Sequence, residues 1–94
     1  MKTIIAAAAI ALAAASVAYA QFDPDKVIPA CTKMAEDATD TPHNRAVAYY
    51  DRGNAYKNLK DYDRALADYS DALKLDPRYA HAYINRGLVY NREE

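Results

Sequence analysis

The sequence has a single cysteine, two glycines, two histidines and no tryptophan among its 94 residues. With Cys31 alone, no intramolecular disulfide can close. The two glycines, Gly53 and Gly87, lie far apart in the chain, so no Gly-rich loop exists to cradle a phosphate. His43 and His81 are widely separated too, with no cysteine or carboxylate at metal-ligand spacing, and no metal or other cofactor is expected. After Ser16 the only serine is Ser70, outside any Gly-x-Ser-x-Gly context. The carboxylate pairs Asp61/Asp63 and Asp68/Asp71 are of the kind that helix caps and solvated helix faces produce. An enzyme is not expected.

Charge is balanced as well: 12 basic residues stand against 13 acidic ones. Such a chain has no electrostatic footprint for nucleic acid or for an anionic membrane surface. Met1-Lys2-Thr3 leads into Ile4 through Ala15, a run without charge, and Ala18-Tyr19-Ala20 has the small-x-small form of a signal-peptidase site. Residues 1–20 therefore read as a signal peptide and 21–94 as the mature domain, exported to the periplasm or secreted. The apolar run is shorter than the roughly 20 residues that span a bilayer, so no stable membrane span is expected after cleavage. Without Lys2, 11 basic residues face 13 acidic ones, a net charge of −2.

What the sequence does have is repetition. Ala46-Val47-Ala48-Tyr49-Tyr50-Asp51-Arg52-Gly53-Asn54-Ala55-Tyr56 returns as Ala80-His81-Ala82-Tyr83-Ile84-Asn85-Arg86-Gly87-Leu88-Val89-Tyr90. Both alanines, the first Tyr, Arg, Gly and the last Tyr are identical. A fixed offset of this size marks a stacked array, in which each unit buries its apolar face against the next. Tyr49, Gly53, Tyr56 and Leu59 draw one helical stripe, and Ala65, Leu66, Tyr69, Ala72 and Leu73 draw a second. Asp61 is placed to cap the second helix, and Asp76-Pro77 ends it. Gly53, unfavourable in mid-helix, is expected to admit a close neighbour.

With Ala46 as position 1, Tyr49, Gly53, Tyr56, Ala65, Tyr69, Ala72 and Pro77 stand at positions 4, 8, 11, 20, 24, 27 and 32. This pattern resembles the tetratricopeptide repeat, with Tyr49 where Trp is usual and Arg52 where Leu is usual. The fold class implied is all-α: antiparallel helix-turn-helix repeats, a fragment of a tetratricopeptide-like α-solenoid. The division is 24–38 for a half-repeat helix, 46–79 for a full repeat and 80–94 for the first helix of the next. In the upstream helix, expected over Asp25 to Asp37, Cys31 takes the place of the inward aromatic and Pro29 falls near the first turn. Thr39 to Asn44 reads as a connection.

Cys31 reads as a buried small hydrophobe on that helix; an intermolecular bridge or a lipid anchor are the alternatives. Ile28-Pro29-Ala30-Cys31 is faintly like a lipoprotein cleavage box, but Asp23, Asp25 and Lys26 stand where an apolar run is required.

The resemblance implies that first helices of successive repeats line a concave groove for an extended peptide or a partner's helix. The groove positions are Val47, Tyr50, Asp51, Asn54, Lys57 and Asn58 in the first repeat, and His81, Ile84, Asn85, Leu88, Asn91 and Arg92 in the second. Some members of the family clamp a peptide's terminal carboxylate with Lys and Asn residues. Asn54 and Asn85 match the Asn places, whereas Tyr50 stands at the clamp Lys. The function implied is protein or peptide binding by an exported adaptor, with Tyr50 and Asn54 free of packing duty. The alternative is a structural piece that self-associates, its C-terminal helix docking on another copy or on a larger envelope assembly.

Overall fold

The structure, a computed structural model, describes residues 23–93; the expected signal segment lies outside them. Four helices follow one another: α1 (Pro24–Glu36), α2 (Pro42–Asn58), α3 (Tyr62–Leu75) and α4 (Ala80–Glu93). There is no strand among the described residues. Each helix packs on its neighbours in the chain, and α2 also touches α4. The result is a stack of antiparallel helix pairs, the all-α repeat architecture expected.

The helix starts follow from local chemistry. Asp23 caps α1 by accepting from the amide of Asp25 at 3.0 Å, and Thr41 caps α2 by accepting from Asn44 at 3.1 Å. Pro24 and Pro42 occupy the first helical positions, where the missing N–H would have had no partner. Asp61 caps α3, accepting from the amide of Arg64. Two expectations are corrected here. Pro42, His43 and Asn44 belong to α2 rather than to a connection, because Thr41-Pro42 starts the helix ahead of Ala46. Pro29 lies inside α1, not near its first turn, on an exposed side where water can serve the carbonyl it leaves unbonded.

Between α2 and α3 the chain reverses through Lys60, whose φ is 63°. The amide of Asp61 bonds the carbonyl of Tyr56 at 2.9 Å, and that of Lys60 bonds Lys57 at 2.9 Å. This pair of bonds is a Schellman closure, with lysine at the left-handed position usually taken by glycine.

The core is built from small residues. Ala35, Ala46, Ala48, Ala55, Ala65, Ala72 and Ala82 are all buried, and among the described residues only Tyr69 and Val89 are large side chains with essentially no exposure. Alanines let the helix backbones approach, and Tyr69 fills the space between them. Ala46, Ala72, Leu73 and Ala82 form one cluster, and Ala65, Tyr69 and Val89 a second. Tyr50 packs against both. Cys31 is buried on α1.

Arg52, at a position where the repeat usually has Leu, is held from two sides. Its Nε and Nη2 donate to Asp68 at 2.9 and 2.7 Å, and Nη1 donates to Thr32 on α1 at 3.0 Å. Asp68 is therefore no solvated carboxylate; it is 3% exposed and paired. One arginine thus ties α1, α2 and α3 together.

Candidate functional site

The faces of α2 and α4 meet in a polar network. Asn85 Nδ2 donates to the Tyr50 hydroxyl at 2.9 Å and to Asn54 Oδ1 at 2.9 Å. The hydroxyl of Tyr69, from α3, donates to the same Asn54 oxygen. Three of the expected groove residues, Tyr50, Asn54 and Asn85, are brought together in this way. Burial, and secondarily the neighbouring Tyr50 phenol, hold the Tyr69 hydroxyl protonated well above the usual tyrosine value.

An aromatic group adjoins the network. The Tyr50 ring lies 5.0 Å from that of Tyr79, edge to face, and 6.3 Å from that of His81. Tyr79 in turn meets His43 at 5.9 Å and His81 at 6.3 Å. His43 Nδ1 sits 2.7 Å from Asp76 Oδ2, which ties the start of α2 to the end of α3 and lowers the Asp76 carboxyl below its ordinary value. Burial raises the Tyr79 phenol, and the Asp51 carboxylate adds to the effect. Asp51 is exposed by area, yet loss of hydration still pushes its own carboxyl upward.

Tyr79 and His43 are absent from the set read from sequence. Tyr79 is the last residue before α4 and His43 lies in the added first turn of α2. The signal for His43 was the Thr41-Pro42 cap; Tyr79 had none beyond its place two residues after Pro77.

The remaining expected residues are distributed differently. Val47 and Lys57 are half-buried, and Asp51, Asn58, His81, Asn91 and Arg92 are exposed. Ile84 and Leu88 are exposed as well, at 59% and 49%. They stand one repeat after Tyr50 and Asn54, the very residues through which α2 meets α4.

Tyr50 and Asn54 are not free of packing duty, contrary to expectation. Tyr50 touches both core clusters, and Asn54 receives the hydroxyl of the buried Tyr69. Truncating either removes fold contacts as well as surface.

No buried side-chain nitrogen or oxygen among the described residues lacks a hydrogen-bond partner. Asn54 Nδ2 and Asn85 Oδ1 bond nothing among the described residues, so neither atom is fully buried. Each asparagine thus keeps one amide atom without a partner among the described residues, a donor on Asn54 and an acceptor on Asn85. Among the described residues no group of three or more His, Cys, Asp or Glu is placed to hold a metal ion. No helix among them is long and apolar enough to cross a membrane.

Residues 46–79 match the family model of the tetratricopeptide repeat. Human (Homo sapiens) serine/threonine-protein phosphatase 5 is 38% identical over 68 residues, covering 67% of this chain and 14% of the phosphatase. The small glutamine-rich tetratricopeptide repeat-containing protein 2 of Saccharomyces cerevisiae is 36% identical over 60 residues, covering 64% of this chain and 17% of that protein. Heat shock protein STI1 of the same yeast is 32% identical over 73 residues, covering 78% and 12%. The chain spans less than a fifth of the length of these relatives. No solved structure matches it significantly. Residues 46–79 are a tetratricopeptide repeat, and the described chain is a helical repeat domain of four helices built around it.

Proposed function

We propose that the protein is a non-catalytic adaptor that takes an extended protein or peptide segment on the face around Tyr50, Asn54, Tyr79 and Asn85. The observation that carries the reading is the hydrogen-bonded pair Asn54 and Asn85, held in place by bonds to Tyr50 and Tyr69, with the Tyr79 and His81 rings set against Tyr50. The amides pair with the segment's backbone, and the rings cover an apolar side chain. The relatives add support: the likeness to each is confined to a short segment, and one of them is named for its tetratricopeptide repeats. A linear-peptide library selected on the 21–94 chain tests it: enriched peptides should be displaced by one another and weakened by His81→Ala, an exposed change. Failure to enrich any peptide contradicts the reading.

The adaptor works outside the cytoplasm, after residues 1–20 are removed. N-terminal sequencing of exported protein should begin at Gln21; exported material that still carries Met1 contradicts this.

The exposure of Tyr83, Ile84, Leu88 and Tyr90 favours a second reading, in which α4 docks on another copy or a larger envelope assembly. Sedimentation that shows only monomer at high concentration contradicts the second copy.

A further inference from the structure

The internal repeat lets one half of the molecule state what the other half is shaped to receive. In α2, Tyr49, Arg52 and Gly53 form a seat for α3. The Arg52 guanidinium lies 5.3 Å over the Tyr49 ring and donates to a hydroxyl on the preceding helix, Thr32. Gly53 leaves a notch filled by the Tyr69 ring: a Cβ there would stand 2.8 Å from Cε1 and 3.0 Å from Cδ1. The carboxylate of Asp68, the residue next to Tyr69, takes the other side of the guanidinium.

In α4, Tyr83, Arg86 and Gly87 stand in the same arrangement. The Arg86 guanidinium lies 5.3 Å over the Tyr83 ring and donates to a hydroxyl on the preceding helix, Ser70, at 3.4 Å. The notch at Gly87 is empty among the described residues, none of which comes within 4 Å of a Cβ built there. Arg86 has no carboxylate partner among the described residues. Tyr83 and Tyr90 are 48% and 53% exposed, whereas Tyr49 and Tyr56 are half-buried.

We infer that this face of α4 is a preformed seat for a helix carrying an Asp-Tyr dipeptide, whose ring enters the Gly87 notch while its carboxylate pairs with Arg86. Shape and charge both specify the occupant: an apolar helix without the carboxylate leaves Arg86 desolvated and unpaired, and one without the ring leaves the notch void. The inference deepens the second reading above and is independent of the peptide-binding face. The α3 segment is the one helix known to fit such a seat, and its sequence is therefore the probe.

A fluorescent peptide with the sequence of residues 61–75 is titrated with the 21–94 chain and with its Gly87→Ala variant. Alanine at 87 meets nothing among the described residues, so the variant keeps its fold, yet its methyl stands where the incoming ring must lie. The expected result is saturable binding that Gly87→Ala weakens roughly tenfold or more. Peptides carrying Tyr69→Ala or Asp68→Asn should bind more weakly to the unaltered chain. No binding, or binding indifferent to Gly87→Ala, overturns the inference; indifference to Gly87→Ala with sensitivity to the peptide changes marks a peptide that merely replaces α3 on α2. Self-association abolished by Gly87→Ala while the peptide stays unbound overturns it too, and leaves the second reading standing. Peptide binding by a protein that sediments as a monomer upholds it and ends the second-copy reading.

Discussion

Gly53 and Tyr69 are in contact so close that a single methyl group on the glycine would enter the tyrosine ring, 2.8 Å from Cε1. The ring is fully buried and cannot swing out of the way. Gly53→Ala should therefore destabilise the domain by about 1–3 kcal/mol, the usual cost of overpacking, despite the better helix propensity of alanine. Gly87→Ala, at the same repeat position, should stabilise by up to about 1 kcal/mol, because only the propensity gain remains. Chemical denaturation of the two variants checks the contrast.

The pair Arg52 and Asp68 is 17% and 4% exposed at its side chains. Asp68→Ala leaves a guanidinium buried without its counter-ion, and the expected loss is about 3 kcal/mol or more. Arg52→Leu restores the side chain usual in the repeat, so the double variant should lose less than Asp68→Ala alone. A double-mutant cycle measures the coupling.

Lys60 holds a left-handed φ of 63° at the close of α2. Glycine adopts that conformation without the steric cost a Cβ brings, so Lys60→Gly should raise stability by about 1 kcal/mol. A lower denaturation midpoint in the variant would contradict this account of the turn.

Much of this was legible in the sequence, and the limits have physical reasons. The identity of Tyr49, Arg52, Gly53 and Tyr56 with Tyr83, Arg86, Gly87 and Tyr90 gave the helix pairs, and Asp61 and Pro77 marked α3's ends. The start of α2 was missed because the repeat register begins at Ala46, while the Thr41-Pro42 cap lies before it. Register also shows which side of a helix a residue occupies, but not what stands opposite. Tyr50 and Asn54 looked free because their partners, Tyr69 on α3 and Asn85 on α4, reach them only through the stacking of the helices. Asp68, paired on paper with Asp71, finds its true partner on the preceding helix, at Arg52. Tyr79 joins the aromatic group only once the turn after Pro77 lays it against Tyr50.

Stability should fall on the alkaline side through Tyr69. Its phenol is raised above the ordinary value of 10.0, chiefly by burial. Below pH 10 both folded and unfolded chains keep the proton, and the contribution is complete. Above it the unfolded chain ionises while the folded chain does not, so stability is lost as pH rises. Denaturation midpoints measured from pH 9 to 11.5 should decline, and Tyr69→Phe should decline less steeply. Equal slopes would contradict the assignment to Tyr69.

The most direct test of the central claim is a map of bound peptide by nuclear magnetic resonance on the 21–94 chain, using a sequence selected from a linear library. The proposed binding face predicts that the side-chain amide signals of Asn54 and Asn85 move together with the rings of Tyr50, Tyr79 and His81, while Gly87 and Tyr90 stay still. Shifts gathered at Tyr83, Gly87 and Tyr90, with both asparagine amides unmoved, would contradict it.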